Sequence, residues 1–176
     1  MNKGLISGLV LLTIGIVCGL LLAVVNYFTA PKIQEVEDAI KYEALAEFYT
    51  LADYDLSEVE GSGDFGTIYI LKAKTTEGLD AFVYTVNAEG YSGVIEMLIA
   101  VNENLEVDGY KVVKQTETPG YGDKIVGHDF NVEIATDLSG FEGVAGASLY
   151  STPAVLEIFQ LVADRVEADF GGGLSE

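Results

Sequence analysis

The sequence predicts an α+β protein in which one transmembrane helix is followed by a domain of antiparallel strands flanked by helices. Residues 4–31 carry no charged side chain, which is typical of a membrane-spanning helix. Residues 67–114 contain short β-rich segments separated by turn residues, as in an antiparallel sheet. Residues 153–169 carry apolar side chains at helical spacing, which indicates a closing helix. Because the strands are grouped between helices, this order favours the α+β class.

The uncharged segment from Gly4 to Pro31 predicts an uncleaved membrane anchor. It has about the 20 apolar residues that a helix needs to cross hydrocarbon. A secretory signal peptide has a shorter apolar region of roughly 7–15 residues and a small-x-small cleavage site, whereas this segment ends in a poor cleavage sequence. A lipoprotein signal places small residues before its cysteine, but Cys18 follows Ile16 and Val17.

The charges that flank the anchor predict its orientation. Lys3 lies on the N-terminal side, whereas Lys32 on the other side is followed by Glu35, Glu37 and Asp38. The positive-inside rule then places the N-terminus in the cytoplasm and the rest of the chain outside it. We therefore expect a single-pass protein of the cell membrane with an extracytoplasmic C-terminal domain.

The sequence divides into an anchor, a linker, a compact domain and a tail. Residues 1–31 are assigned to the cytoplasmic N-terminus and anchor, 32–60 to an amphipathic helix and linker, 61–170 to the compact domain and 171–176 to a flexible tail. The linker helix is predicted over about 33–50 from its apolar spacing. Strands are predicted at 67–73, 81–86, 93–101 and 107–114, and near 131–134. Thr152 and Pro153 predict the N-cap and the first residue of the closing helix.

The composition limits the partners and the chemistry. The chain has 28 Asp and Glu against 9 Lys and Arg, a net charge of −19. Nucleic acid and anionic lipid both need clustered Lys and Arg, so neither is expected as a partner. Cys18 and His128 are the only residues of their types, so no disulfide framework and no metal site built from Cys and His is expected. Any redox chemistry must then come from a bound cofactor.

Two loops have the composition of a ligand-binding site. The first, residues 116–124, contains Pro119, which restricts the backbone, and Gly120 and Gly122, which permit left-handed or crowded backbone. Tyr121 offers an aromatic face between the two glycines. Taken alone, this pattern is also that of an ordinary tight turn after a strand.

The second loop, residues 142–148, is rich in small residues and is followed by Ser151, Thr152 and the closing helix. Small residues allow the backbone to approach a ligand closely. The free N–H groups and the dipole at the start of a helix favour an anion such as a phosphate. A helix cap with small residues packed beneath it has the same pattern.

At these loops the sequence resembles a known family over nearly its whole length. Glu117–Gly122 (ETPGYG) resembles the ETPGLG loop of the FMN-binding proteins that include the G subunit of the Rnf ferredoxin:NAD oxidoreductase and the C subunit of the sodium-pumping NADH:quinone reductase. Thr29–Ile33 and Gly90–Ile95 resemble the end of the anchor and the entry to a central strand in that family. Glu142–Ser148 (EGVAGAS) resembles the flavinylation pattern D-G-x-S/T-G-A-T.

The resemblance implies an FMN cofactor and an electron-carrying role. In that family a flavin transferase joins FMN through its phosphate to the final threonine of the pattern, and the matching position here is Ser148. Glu142, Ala145 and Ser148 depart from the usual residues, and the sequence after the pattern is about one residue longer, so Thr152 is the second-choice acceptor. The other residues implied in FMN binding are Gly146, Ala147, Leu149, Tyr150, Ser151, Glu117, Thr118, Pro119, Gly120, Tyr121, Gly122 and Lys124.

The resemblance also implies partners and leaves alternatives open. The family relays electrons within a membrane complex that couples redox chemistry to sodium or proton transport, so other membrane subunits are expected as partners. Non-covalent FMN, a flavin-free structural subunit and a stand-alone extracytoplasmic flavoprotein remain alternatives. Lys124 either brings positive charge to the phosphate or the reduced ring, or is a surface lysine.

Overall fold

The computed structural model describes residues 3–75, 78–147 and 149–173, and the chain forms two compact units, residues 1–40 and 41–176. Its first element, α1, is an α-helix over Lys3–Phe48. Within the described residues, α1 is the one helix long and apolar enough to cross a bilayer. This confirms the prediction of a long apolar helix that precedes a sheet domain in the sequence.

The predicted anchor and the predicted linker helix are parts of this one helix. Pro31 lies inside α1, although an interior proline removes a backbone donor and costs about 3 kcal/mol. Residues 32–48 are rich in Ala, Glu and Lys, which have high helix propensity, so the helix continues beyond the proline. Lys32 also pairs with Glu35 one turn later.

The domain is built on a five-stranded antiparallel sheet in which neighbouring strands follow one another in sequence. Its strands are β1 (Tyr54–Glu60), β2 (Phe65–Ala73), β3 (Ala81–Glu89), β4 (Val94–Asn102) and β5 (Val107–Lys114). The four strands predicted between residues 67 and 114 are present as β2–β5. Sequence analysis did not predict β1, because this half-exposed edge strand is acidic and has a single β-branched residue, Val59.

Each face of the sheet carries its own apolar core. On one face the last turns of α1, including Ala44 and Leu45, pack on Leu71, Val83 and Leu98. The opposite face is covered by the second long helix, α2 (Ser151–Ala168), whose buried apolar side chains are Ala154, Val155, Ile158, Phe159, Val162 and Val166. The alternation of side chains along β3 and β4 supplies both cores, as expected for a central pair of strands.

The start of α2 differs from the sequence prediction. Its N-cap is Tyr150 and the helix begins at Ser151, so Thr152 is inside the first turn and is not the cap. Pro153 is tolerated there because the first N–H groups of a helix have no partner within the helix. The helix ends at Ala168 and is followed by a π-helical turn, Asp169–Gly173, while residues 174–176 of the predicted tail lie outside the described residues.

The strand predicted near residues 131–134 is wrong. Ile134 makes only isolated bridges, to Glu106 and to Asp137. Asn131 has a φ of 55°, in the left-handed region, which breaks the extended backbone that a strand requires.

Candidate cofactor site

The two loops singled out in the sequence meet at one cavity of about 290 Å³ in the second unit. The turn after β3 contributes to it, together with the 117–122 loop and the segment that leads into α2. The cavity is lined by Tyr91, Glu117, Thr118, Tyr121, Gly122, Gly146, Ala147, Leu149, Tyr150 and Ser151. All of these except Tyr91 are residues implied by the resemblance.

Glu117 joins the three segments that form the cavity. Its side chain is buried, with 5% of the residue exposed. Oε1 accepts the Ser92 N–H at 2.9 Å, and Oε2 accepts the hydroxyl of Ser151. Burial raises the pKa of Glu117, but the Ser151 hydroxyl and the N–H groups of Ser92 and Tyr91 outweigh it, so the pKa lies below its usual value. Glu117 is therefore a buried, ionised carboxylate at neutral pH.

Two glycines allow the backbone to close around this carboxylate. A Cβ on Gly90 would lie 2.5 Å from Oε1 of Glu117. A Cβ on Gly122 would lie 2.6 Å from Oε2 and 2.7 Å from the hydroxyl oxygen of Ser151. All three distances are far shorter than a normal carbon–oxygen contact, so any larger residue would displace the acid or the start of α2.

The 117–122 loop is held by its own backbone. The carbonyl of Thr118 accepts the N–H groups of Tyr121 and Gly122, each at 3.1 Å. Gly120 has a φ of 78°, where glycine is favoured. Pro119 and Gly120 shape this turn but do not line the cavity, so the structure separates them from the predicted residues that do.

The segment before α2 is a tight turn with a charged neighbour. The N–H of Ala147 donates to the carbonyl of Val144 at 3.1 Å, and Gly146 has a φ of 95°. The Lys124 ammonium lies 3.4 Å from the point where a Cβ on Gly146 would be. Lys124 itself does not line the cavity, but its ammonium lies beside Gly146, which does.

The structure describes one of the two candidate acceptor hydroxyls of this segment. Ser148 lies outside the described residues. The hydroxyl oxygen of Thr152 accepts the Val144 N–H at 3.1 Å, and Thr152 donates its own N–H to the carbonyl of Ala147 at 2.9 Å. Thr152 thus closes the turn and does not line the cavity.

The mouth of the cavity is aromatic and exposed. Tyr91, Tyr121, Leu149 and Tyr150 are 66%, 65%, 82% and 55% exposed. The rings of Tyr91 and Tyr150 lie in contact, 5.1 Å apart between centroids. Tyr91 and Ser92 were missed as site residues, although they belong to the Gly90–Ile95 segment on which part of the resemblance rests.

A second cavity of about 280 Å³ lies along β5. Met97, Tyr110, Ile125 and Phe130 are among the residues that line it. Among the described residues, none of those implied in cofactor binding lines this cavity, so the 290 Å³ cavity is the candidate site.

Two separate parts of the chain match models of known protein families. Residues 90–162 match an FMN-binding domain model, and residues 1–48 match the N-terminal region of RnfG. The chain is 32% identical over 136 residues to the G subunit of the ion-translocating oxidoreductase complex of Shewanella piezotolerans, and 33% identical over 153 residues to that of Cereibacter sphaeroides. The chain thus contains an FMN-binding domain and is similar to these G subunits over most of its length.

The matches to these two G subunits cover 71% and 84% of the chain and 64% and 66% of the two relatives. The chain thus spans just under two thirds of the length of each. The G subunit of the proton-translocating ferredoxin:NAD(+) oxidoreductase complex of Clostridium ljungdahlii is 28% identical over 106 residues, or 60% of the chain and 54% of the relative. Together with α1, these similarities identify an FMN-binding domain that follows a single apolar helix suited to membrane anchoring.

The cavity lies within the matched FMN-binding domain, and its size and lining suit part of an FMN molecule. Its volume of about 290 Å³ is at the lower end of the roughly 300–1,000 Å³ of small-molecule sites, so it suits part of a flavin. The aromatic mouth offers apolar surface for a ring, and the positive end of the α2 dipole, which lies at the cavity, favours a phosphate. The negatively charged Glu117 lies beside the start of α2 and would repel a phosphate there. A phosphate is therefore better placed on the side of the cavity formed by Gly146, next to Lys124.

Proposed function

We propose that this protein is the electron-carrying FMN subunit of a membrane complex that couples electron transfer to ion transport, as in Rnf-type complexes. One observation carries the proposal: three segments that resemble the family motifs converge on a single cavity at the start of α2. The printed names of the relatives supply the kind of complex. Alone, the chain is a carrier and not a complete enzyme.

Bound FMN supplies the electron-transfer chemistry, and the protein supplies its position and environment. The N-terminus of α2 and the Lys124 ammonium stabilise the charge of the phosphate. Leu149 and Tyr150 provide apolar contact, and Thr118 provides a hydroxyl at the cavity wall. A fixed carrier suits a relay because its distance to the neighbouring redox centres stays constant.

The FMN is held by a phosphoester to the hydroxyl of Ser148. A dedicated flavin transferase forms it by moving the FMN phosphoryl group from a flavin dinucleotide to the serine oxygen, which loses its proton, while the nucleoside monophosphate leaves. Serine keeps the oxygen nucleophile of the usual threonine. The alternative acceptor, Thr152, uses its hydroxyl oxygen to accept the Val144 N–H, which favours Ser148 as the acceptor.

Intact mass tests the attachment. The full chain is expressed with and without a flavin transferase, and an FMN-sized gain in mass is expected only with the transferase. Ser148→Ala removes the gain, whereas Thr152→Ala retains it. No gain in the wild-type chain contradicts covalent attachment, and a gain that survives Ser148→Ala but not Thr152→Ala assigns the acceptor to Thr152.

The anchor holds the domain on the extracytoplasmic side, with a cytoplasmic N-terminus. Support comes from Lys3 on one side of the apolar segment and from the acidic residues that follow Lys32 on the other. Other membrane subunits of the complex are the partners. Protease treatment of intact cells, compared with inverted vesicles, tests the orientation, since cleavage of the domain only in vesicles contradicts it.

A further inference from the structure

Glu117 places a negative charge at the wall of the cofactor cavity. Its side chain lines the cavity, and both carboxylate oxygens are engaged by hydrogen-bond donors. In the described part of the chain its partners are N–H and hydroxyl groups and not a cationic side chain. The negative charge of Glu117 is therefore stabilised by dipoles and is not cancelled by an ion pair.

The carboxylate is also fixed in place. Gly90 and Gly122 approach its two oxygens so closely that neither has room for a Cβ. The Ser92 N–H and the Ser151 hydroxyl hold it from the turn after β3 and from the start of α2. A charge held in this way cannot rotate into solvent when the charge of a neighbouring group changes.

We propose that Glu117 sets the reduction potential of the bound flavin, by holding a fixed negative charge at the wall of the cofactor cavity. The inference rests on the proposed function, because it requires FMN in this cavity. One-electron reduction of a bound flavin by the preceding carrier of the complex would add one negative charge beside Glu117, unless a proton from solvent followed. A buried negative charge disfavours that gain, since Coulomb interactions are weakly screened away from water. Glu117 thus lowers the midpoint potential and makes the reduced flavin a better electron donor.

A potentiometric titration of the FMN-loaded full chain tests this role. Glu117→Gln keeps the size and the acceptor oxygen of the side chain but removes the charge, so the midpoint potential is expected to shift in the positive direction. Glu89→Gln is the matched control, because it removes the same charge from an exposed residue next to Gly90 and should leave the potential unchanged. An unchanged potential in Glu117→Gln overturns the proposal.

Ser151→Ala separates the charge of Glu117 from its structural role. This variant removes the hydroxyl that binds Oε2 but leaves the carboxylate in place. The midpoint potential is expected to stay at or below that of the wild-type chain. A positive shift as large as that of Glu117→Gln means that the effect comes from altered packing, and it contradicts the proposal.

Binding of free FMN gives a second measurement that does not need the transferase. On a Ser148→Ala background, the ratio of the dissociation constants for reduced and oxidised FMN reports the same electrostatic effect. Glu117→Gln is expected to lower that ratio by at least tenfold, which is the effect of one unit charge about 12 Å from the flavin ring in a medium of effective dielectric constant about 20. An unchanged ratio overturns the role of Glu117. A wild-type chain that takes up no FMN by either route instead contradicts the proposed function, so the two failures are distinguishable.

Discussion

Ser151 donates its hydroxyl hydrogen to Oε2 of Glu117, across 34 positions of the sequence. This hydrogen bond joins the 117–122 loop to the first residue of α2. Both side chains are buried, with 5% of Glu117 and 3% of Ser151 exposed. The geometry of the cofactor cavity therefore depends on one buried acid and its donors.

The lowered pKa of Glu117 predicts how stability responds to acid. Because the pKa in the folded chain lies below the usual value of 4.5, the ionised side chain contributes stability above that value, which is lost as the pH falls through the folded pKa. Acidification from pH 7 to pH 3 should therefore lower the free energy of unfolding more in the wild-type chain than in Glu117→Gln. Urea unfolding of the detergent-solubilised chain measures the difference. Equal losses in the two chains contradict the prediction, and Glu89→Gln serves as the control.

Gly122→Ala tests the close approach around Glu117. The added methyl group would lie 2.6 Å from Oε2 of Glu117, and both this acid and Ser151 are buried and cannot move aside. We expect a loss of about 1–3 kcal/mol in the free energy of unfolding, together with weaker FMN retention. Gly171→Ala is the control, since nothing lies within 4 Å of its Cβ position, and it should change stability by less than about 0.5 kcal/mol. If the two variants were equally stable, Glu117 and Ser151 would have moved to make room for the methyl group, which contradicts the prediction.

Thr152→Val separates turn closure from cofactor attachment. The variant keeps the shape of the side chain but removes the acceptor of the Val144 N–H, which should cost about 1 kcal/mol of stability. Thr152→Ser keeps the hydroxyl and should be close to the wild-type chain. Intact mass after co-expression with the transferase should still show the FMN gain in both variants. Loss of the gain in Thr152→Val alone would indicate that the hydroxyl itself is modified.

The ion pair between Lys41 and Glu96 fastens the end of α1 to the sheet within the second unit. The two charged atoms are 2.7 Å apart, and the side chains are only 16% and 13% exposed. Lys41→Met leaves the carboxylate of Glu96 without this partner and should lower the free energy of unfolding by about 3 kcal/mol. The double variant Lys41→Met/Glu96→Leu should recover most of that loss, because no charge is then left buried. A double variant that is less stable than Lys41→Met would contradict this account.

Local patterns predicted most elements but not the roles at the site. Strands β2–β5 and helix α2 were predicted because their apolar side chains alternate or recur at helical spacing. Strand β1 was missed since an acidic edge strand lacks that signal. Likewise, the N-cap of α2 is Tyr150 and not the predicted Thr152, because the Thr152 hydroxyl accepts the Val144 N–H in the turn before the helix.

The sequence by itself determined the apolar membrane helix, the α+β order and the resemblance to FMN-binding G subunits, since these follow from runs and motifs of residues that are close together in the sequence. Only the tertiary structure decided that Glu117 is buried against Gly90, Gly122 and Ser151, and that Tyr91 belongs to the cavity. These relationships join segments tens of residues apart, so they depend on how the sheet and α2 pack. The charge of an acid is evident from the sequence, but its burial and its hydrogen-bond donors, which set its pKa and its effect on a neighbour, exist only in the folded chain.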